Sequence, residues 1–286
     1  MVLIIGGSGY IGKNLCDYFS KNRKLTVGTY CNFPKKGLIH FDLTNPNIEK
    51  MKKNSEKDNY IIICSAISNI DFCKKNEKKV YKVNVEGTKK TLEQIFDLKK
   101  IPIFLSSDYV FNGKIGNYSE RDKTNPCNVY GKHKKIIEDF ILKSNGEFLI
   151  ARISKIFGLE PNDNTLLTSW ANQLKNNEEI YCAQDQRFSP TYIKDLANAI
   201  NISIEKNLRG LYNIASQESF SRFGLANMVK EKLNIKTGKI IPCSIRDFNF
   251  LDSRPLNTCL NVNKFIQETR FKFSKVEDCI NKLKES

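Results

Sequence analysis

The sequence is poor in the residues that build metal centres and membrane spans. Its 286 residues include only two histidines, and none of the nine cysteines forms a C-x-x-C pair, so a zinc site is not expected. No apolar run reaches the roughly 18 residues of a membrane-spanning helix. The opening segment has no basic flank and is too short for a signal peptide. An odd number of cysteines without a secretion signal favours free thiols, and we expect a cytoplasmic protein with no membrane partner and no metal ion.

Acidic residues are scarce relative to basic ones. Lysine and arginine total 46 against 31 aspartate and glutamate residues, which gives a formal net charge of +15. A basic surface can bind nucleic acid or attract an anionic substrate. The lysine doublets are spread along the chain without interleaved aromatic residues, unlike a nucleic-acid platform. We therefore expect no nucleic-acid partner, and the alternative is a lysine-rich composition on solvated helix faces.

The first half of the chain alternates short apolar runs with amphipathic stretches. Strands are predicted at residues 2–5, 25–30, 38–41, 60–64, 101–105 and 147–153. Helices are predicted from the first glycines to about residue 22, and at residues 80–98 and 128–143. Such alternation is typical of βαβ units around a parallel sheet.

The pattern changes after about Gly158, where helices are predicted at residues 164–176, 193–204 and 223–233. The length suits one or two domains. We predict an α/β fold in which a Rossmann-type, doubly wound parallel sheet at residues 1–158 binds NAD(P). A smaller substrate lobe would come mainly from residues 159–286, with some segments returning to the first domain. The cleft between them would hold the substrate.

A glycine-rich turn follows the first predicted strand. Gly6, Gly9 and Gly12 form G-x-x-G-x-x-G and open an amphipathic helix. Glycines in this context permit a tight turn and let backbone approach a pyrophosphate at the helix N-terminus. Since strand, glycines and helix occur in the required order, the turn predicts a dinucleotide site. We expect Tyr10 and Ile11, within the turn, to contact the cofactor as well.

The end of the second strand indicates which dinucleotide binds. A carboxylate there would bind the ribose 2′-hydroxyl of NADH, but residues 28–36 contain no acid and include Asn32 and Lys35. This favours NADPH, with NADH as the alternative. Asp42, with Leu43 beside it, is a candidate for an adenine hydrogen bond, and the alternative is a turn carboxylate near Thr44.

A tyrosine and a lysine have the spacing of a proton-transfer pair. Tyr130 and Lys134 are four residues apart, so on a helix they share one face. An ammonium group near a phenol favours the phenolate and lowers its pKa, and the tyrosine can exchange a proton with a carbonyl oxygen while hydride moves to or from a nicotinamide. Ser106 and Ser107 end a predicted strand at the edge of the sheet where ligands bind. A hydroxyl there can share the substrate carbonyl with Tyr130.

Four segments carry a resemblance to a known family: residues 104–113 (FLSSDYVFNG), 126–132 (PCNVYGK), 151–154 (ARIS) and 254–258 (RPLNT). On these segments the chain resembles the extended short-chain dehydrogenases, and within them the dTDP-4-dehydrorhamnose reductase family, along almost its whole length. Residues 65–71 and 83–84 resemble the family's stretch beside the nicotinamide ribose. Residues 189–197 resemble the entry to its substrate lobe.

The resemblance implies a role for each matching residue. Ser107 corresponds to the catalytic Ser/Thr, Tyr130 to the proton donor and Lys134 to the lysine that binds nicotinamide ribose and tunes the tyrosine. The implied reaction is NADPH-dependent reduction of the C4 ketone of a nucleotide-linked 4-keto-6-deoxy sugar, in deoxysugar or polysaccharide biosynthesis. Further cofactor contacts are expected at Ser65 and Ala66. Substrate contacts are expected at Ser68, Ser107, Asp108, Val110, Lys155 and Arg254.

One position departs from the family's pattern. After residues 152–154 the family usually has a tryptophan that packs on the sugar, and here the residue is Lys155. An ammonium group cannot replace an apolar stacking face. We expect Lys155 to lie beside the sugar, and the alternative is that it points to solvent while Phe157 packs on the sugar.

Other functions remain open on sequence grounds. Related dehydratases use an Asp-Glu pair where this chain has Asp108 and Tyr109, and related epimerase–reductases place a reactive cysteine near position 109. Another relative is a non-catalytic regulatory subunit of methionine adenosyltransferase, which would not need the whole set Ser107, Tyr130 and Lys134. The sequence leaves the sugar, the nucleotide and the oligomeric state open, with a homodimer as one candidate assembly.

Overall fold

The predicted strands of the first half fold into one sheet. The computed structural model describes residues 2–22, 25–51 and 60–283. Its strands are β1 (Val2–Ile5), β2 (Thr26–Tyr30), β3 (Leu38–His40), β4 (Tyr60–Ile63), β5 (Ile101–Ser107), β6 (Leu149–Ile153), β7 (Ile156–Phe157), β8 (Glu179–Ala183), β9 (Arg187–Phe188), β10 (Thr191–Tyr192), β11 (Gly210–Ile214), β12 (Phe220–Ser221) and β13 (Lys239–Cys243).

The central sheet has seven parallel strands in the order β11-β6-β5-β4-β1-β2-β3. Ile4 of β1 pairs with Gly28 of β2 on one side and with Ile62 of β4 on the other. The strand order therefore reverses direction at β1. Connections leave the carboxyl ends of β1 and β4 in opposite directions, and ligands of such sheets bind in the crevice this creates.

Helices cover both faces of the sheet. They are α1 (Tyr10–Lys21), α2 (Ile70–Lys75), α3 (Glu77–Tyr81), α4 (Thr88–Asp97), α5 (Val129–Leu142), α6 (Leu166–Lys175), α7 (Ile193–Glu205), α8 (Arg222–Lys232), α9 (Asn263–Thr269) and α10 (Val276–Lys282). A π-helical turn, Lys82–Gly87, joins α3 to α4. Short 3-10 turns lie at Glu49–Met51, Asp108–Val110 and Ile245–Asp247.

Alternate side chains of β1 enter two different cores. Ile4 packs in a cluster with Leu15 of α1 and Ile200 of α7. Ile5 packs in another cluster that includes Leu92 of α4 and Ile137 of α5. A strand covered on both faces is apolar throughout, which explains its uninterrupted hydrophobic run. The doubly wound parallel sheet predicted from the sequence is confirmed.

The C-terminal part of the chain contributes to two regions. One is built from α6, α8 and the parallel pair β8–β13, with β9 pairing antiparallel to β12 nearby. The other is the central sheet, because β11 pairs with β6. A return of C-terminal residues to the sheet was expected, while the boundary at residue 158 stays a prediction. No helix among the described residues is long and apolar enough to cross a membrane.

Candidate active site

A cleft of about 530 Å³ opens at the carboxyl ends of the central strands. The glycine turn after β1 and the loop after β4 form one side, and residues from the C-terminal part, including Phe188 and Arg222, form the other. Eleven of the residues predicted for the site line this cleft: Gly6, Gly9, Tyr10, Ile11, Gly12, Ala66, Ser68, Ser107, Asp108, Tyr130 and Lys155.

The glycine turn is packed so closely that side chains are excluded from part of it. Gly6 has a φ of +89°, and a Cβ on Gly12 would lie 2.1 Å from the Gly6 carbonyl oxygen. A Cβ on Gly9 would lie 3.5 Å from its nearest neighbour, the Gly6 carbonyl oxygen, so this side of Gly9 has room for another group. This open side, at the N-terminus of α1, is a cradle that a Cβ would partly fill and a phosphate could occupy.

The opposite wall of the cleft reaches the glycine turn through one hydrogen bond. The Tyr10 hydroxyl donates to Asp163 at 3.1 Å. Asp163 also accepts from the Thr165 amide at 2.8 Å and the Thr168 hydroxyl at 2.6 Å. Burial, and next the charge of Asp163, raise the pKa of Tyr10. This contact joins segments more than 150 positions apart in the chain.

The N-terminus of α5 is fixed beside the end of β5. The Asn128 side chain caps the helix by accepting from the Gly131 amide at 2.8 Å. A Cβ on Gly131 would lie 2.1 Å from the Tyr109 carbonyl oxygen, so only glycine permits this approach. Tyr130 is thereby brought to the same cleft as Ser107.

Lys134 lies beneath Tyr130 on α5. Its ammonium group is buried, donates to the Leu105 carbonyl at 2.7 Å and lies 5.8 Å from the centre of the Tyr130 ring. Burial lowers the pKa of Lys134 to about 8, while Cys64 and Glu138 act in the opposite direction. The helix spacing predicted from the sequence therefore places the two side chains together.

The effect expected of Lys134 on the tyrosine is corrected by the structure. An ammonium group beside a phenol is expected to lower the pKa of the phenol, here that of Tyr130. Burial and the charge of Asp108 instead raise this pKa, and a hydrogen bond with Ser107 offsets only part of the rise. The phenol therefore keeps its proton throughout the physiological pH range.

Asp108 is a buried carboxylate whose oxygens are occupied by hydroxyl groups. It accepts hydrogen bonds from Ser107 at 3.0 Å, Ser154 at 2.8 Å and Thr258 at 2.7 Å. Burial raises its pKa, and these three hydrogen bonds and Lys155 partly offset that rise. The Ser107 hydroxyl is thus oriented by Asp108 directly beside the tyrosine.

The whole sequence matches one protein family. A family model described as the RmlD substrate binding domain matches residues 1–285. The chain belongs to this RmlD family.

Individual relatives of the RmlD chain agree with this assignment. A dTDP-4-dehydrorhamnose reductase from Aggregatibacter actinomycetemcomitans is 27% identical, over 93% of this chain and 92% of its own. The crystal structure of a dTDP-4-dehydrorhamnose reductase from Bacillus anthracis in complex with NADP is 25% identical, with a TM-score of 0.84, over 99% of this chain and 97% of its own. Methionine adenosyltransferase 2 subunit beta from Danio rerio is 24% identical, over 95% of this chain and 87% of its own.

Several residues predicted to bind the cofactor lie outside the lining of the cleft. Asn32 and Lys35 are exposed beyond the end of β2, and Ser65 packs against Gly6. Asp42 forms a turn, accepting from the Thr44 amide at 2.8 Å and hydroxyl at 2.9 Å. The side chain of Leu43 is buried in the core on one face of the sheet.

Two residues predicted to contact substrate are placed elsewhere. Val110 is fully buried in a cluster with Phe111 and Leu260, so its side chain does not reach the cleft. Arg254 forms a salt bridge of 3.0 Å with Asp71 and lies 4.2 Å over the Phe250 ring. The resemblance to the family predicted that Val110 and Arg254 contact substrate. The turn after β5 instead directs Val110 into the core, and the salt bridge with Asp71 holds Arg254 away from the cleft lining.

Lys155 lines the cleft, as expected. The alternative, that Phe157 packs on the sugar, is not what the structure shows: Phe157 is buried and stacks on Tyr192 with 5.7 Å between ring centres. Lys155 is itself exposed to solvent, so this wall of the cleft carries an accessible ammonium group.

Sequence reasoning missed residues that come from distant segments. Asn84, in the π-helical turn, exchanges two hydrogen bonds with the backbone of Ile67 and fixes the loop after β4. Gln186 and Arg222 line the cleft and hydrogen-bond to each other. In the sequence, the segment of Asn84 shows only a likeness to the family's stretch beside the nicotinamide ribose, and a single arginine at the start of a helix carries no signal of its own.

Proposed function

We propose that this protein reduces the C4 ketone of a nucleotide-linked 4-keto-6-deoxy sugar with NADPH. The observation that carries the proposal is the placement of Tyr130 and Ser107 in the same cleft as the glycine turn. Membership of the RmlD family and the likeness to dTDP-4-dehydrorhamnose reductases support the substrate class. The reaction would serve deoxysugar or polysaccharide biosynthesis.

The residues of the glycine turn fit a dinucleotide. The open face of Gly9 and the N-terminus of α1 would hold the pyrophosphate. Asn32 and Lys35 follow β2 without an acidic residue, which supports NADPH over NADH at the 2′-position. Lys134 would bind the nicotinamide ribose. When bound, NADPH supplies the hydride that reduces the ketone carbon.

Tyr130 supplies the proton of the reduction. Its raised pKa keeps the phenol protonated, which is the form a proton donor needs. The phenol donates its proton to the ketone oxygen, the oxygen becomes the alcohol, and the phenolate regains a proton from water. The Ser107 hydroxyl donates its single proton to Asp108 in this structure. On substrate binding it would turn to donate that proton to the same ketone oxygen and orient it.

We also propose a cytoplasmic location and a homodimer. All nine cysteines are free thiols, which supports a reducing compartment. Sedimentation equilibrium of the purified chain tests the assembly: a mass of twice 32.9 kDa agrees with a dimer, and the single-chain mass contradicts it.

A panel of nucleotide 4-keto sugars tests the function. With dTDP- and UDP-linked 4-keto-6-deoxy sugars, the protein should oxidise NADPH, measured as loss of nicotinamide absorbance. Tyr130→Phe should do so roughly 10²–10⁴-fold more slowly. Binding of NADPH without turnover on any member of the panel would contradict the proposal.

The likeness to methionine adenosyltransferase 2 subunit beta supports a second candidate, a non-catalytic NADP-binding regulatory subunit. The two functions are separated by mixing the protein with a methionine adenosyltransferase catalytic subunit. A regulatory subunit would change the kinetics of that enzyme and show no reductase activity on the sugar panel.

A further inference from the structure

Two cations face the substrate side of the cleft. Lys155 follows β6, and Arg222 begins α8, yet both line the same cavity. The Arg222 guanidinium donates to the Gln186 side chain at 2.5 Å and lies 5.5 Å over the Phe188 ring. These contacts hold the guanidinium in place through neutral partners, which leave its positive charge unbalanced.

The two cations line one cleft and repel each other electrostatically. Lys155 is exposed to solvent and lines the cleft, and partial desolvation there, followed by the charge of Arg222, lowers its pKa. Like charges brought together in a partly buried site disfavour each other. Such an arrangement is stabilised when an anion binds between them.

The described part of the chain does not supply that anion. No salt bridge joins Lys155 or Arg222 to a carboxylate among the described residues. Asp108 is the nearby acid, and its two oxygens already accept three hydroxyl hydrogen bonds. Asp163, the other acid lining the cleft, is bound to Tyr10, Thr165 and Thr168.

We propose that Lys155 and Arg222 together bind an anionic oxygen group of the substrate. Lys155 lies near the proposed reacting atoms. Its neighbour Ser154 donates a hydrogen bond to Asp108, and Asp108 also accepts a hydrogen bond from Ser107. The group is either an acidic substituent on the sugar ring or the diphosphate of the nucleotide. The inference rests on the proposed function for the class of substrate and deepens it.

Binding of matched ligands tests the proposal without requiring turnover. The probes are UDP-glucose, UDP-glucuronic acid and free UDP, with their thymidine counterparts, titrated by calorimetry into protein saturated with NADP⁺. UDP-glucuronic acid differs from UDP-glucose only by a carboxylate in place of a hydroxymethyl group. The variants are Lys155→Gln and Arg222→Gln. Lys175→Gln, an exposed lysine at the end of α6, is the control for lost net charge.

The ligands distinguish the two sources of the anion. If the sugar carries it, the glucuronic acid ligand binds the wild type at least about tenfold more tightly than the glucose ligand, and both cleft variants lose this preference. If the diphosphate is bound, both sugar ligands and free nucleotide weaken in the variants by a similar factor of about ten or more. Lys175→Gln should bind each ligand as the wild type does.

Unchanged affinities of both cleft variants for all the ligands would overturn the proposal, as would failure of every ligand to bind the wild type. Thermal unfolding and NADP⁺ affinity confirm that each variant is folded, and Arg222→Lys, which keeps the charge, should retain much of the binding. Turnover of a 4-keto sugar with unchanged ligand affinities in the variants would refute the cation pair and leave the proposed reduction intact.

Discussion

Tyr130 lies where burial and the carboxylate of Asp108 both disfavour its phenolate. A reductase needs this tyrosine as an acid, so a raised pKa suits the proposed direction of reaction. The motif Tyr-x-x-x-Lys could be recognised from the sequence because both residues lie on one helix. Its electrostatics could not, because Asp108 and the hydroxyls of Ser154 and Thr258 come together only in the folded chain.

Replacing Tyr130 by phenylalanine keeps the ring and removes the proton. Turnover should fall by roughly 10²–10⁴, the usual contribution of a general acid. Affinity for NADPH, measured by fluorescence titration, should stay close to that of the wild type. Near-normal turnover of the variant would contradict the role of Tyr130.

Replacing Asp108 by asparagine should shift the pH dependence of turnover. The carboxylate raises the pKa of Tyr130, so its removal lowers that pKa. Because the acid form is active, the alkaline loss of kcat should begin at lower pH than in the wild type. Ser154→Ala, which removes one hydrogen bond and keeps the charge, is the matched control. Identical alkaline limits in Asp108→Asn and wild type would refute the coupling.

Lys134→Met should stabilise the fold at neutral pH while impairing function. Burial lowers the folded-state pKa of this lysine to about 8. In the unfolded chain the lysine has its ordinary pKa of about 10.4. Between about pH 8 and 10.4 the unfolded state therefore binds the lysine proton more tightly than the folded state does. The loss of stability caused by burying the charged lysine is therefore complete below the folded-state pKa of Lys134. It disappears as the pH rises from that value towards the pKa of lysine in the unfolded chain.

Denaturant unfolding in neutral and alkaline buffer measures this effect. The methionine variant should gain about 2 kcal/mol in free energy of unfolding at neutral pH, and the gain should shrink at about pH 10. Lys132→Met, at an exposed position of α5, should show no such dependence. An equal difference at both pH values would contradict the account.

At the scale of elements, the strands and longer helices of the first half could be predicted because short apolar runs alternate with amphipathic stretches. The short helices α2 and α3 were not predicted. Helix α5 was expected at residues 128–143 and spans Val129–Leu142. The helix expected at residues 80–98 exists, but its π-helical turn, which brings Asn84 to Ile67, has no local sequence signature. The two-residue strands β7, β9, β10 and β12 are too short for any periodicity, so the substrate side could not be predicted in detail.

Two alanine substitutions separate packing from cofactor binding in the glycine turn. Gly12→Ala places a Cβ 2.1 Å from a backbone oxygen, so it should lower the midpoint of thermal unfolding. Gly9 has a φ of −76°, which alanine adopts, and open space around it. Gly9→Ala should therefore unfold like the wild type and bind NADPH more weakly, as its methyl group narrows the phosphate cradle. Wild-type NADPH affinity in Gly9→Ala would argue against a phosphate at this position.

At the scale of the whole molecule, the formal net charge of +15 favours anionic ligands such as a phosphorylated cofactor. NADPH should bind more tightly than NADH, because Asn32 and Lys35 tolerate a 2′-phosphate where an acid would repel it. The difference should narrow in high salt, which screens phosphate–lysine contacts. This difference in affinity is measured by titrating NADPH and NADH into the protein at two ionic strengths. In Lys35→Gln the difference should be smaller than in the wild type. A clear NADH preference at low salt would contradict this assignment.

In the proposed reaction, hydride moves from NADPH to C4 of a nucleotide-linked sugar bound in this cleft. The test is turnover with NADPH that carries deuterium at both C4 hydrogens of the nicotinamide, with the sugar product analysed by mass spectrometry and NMR. The product should carry one deuterium on the sugar C4 carbon and a new hydroxyl group there, and Tyr130→Phe should form it roughly 10²–10⁴-fold more slowly. A product without deuterium at C4, or an unchanged ketone across the dTDP- and UDP-linked substrates, would contradict the proposed reaction.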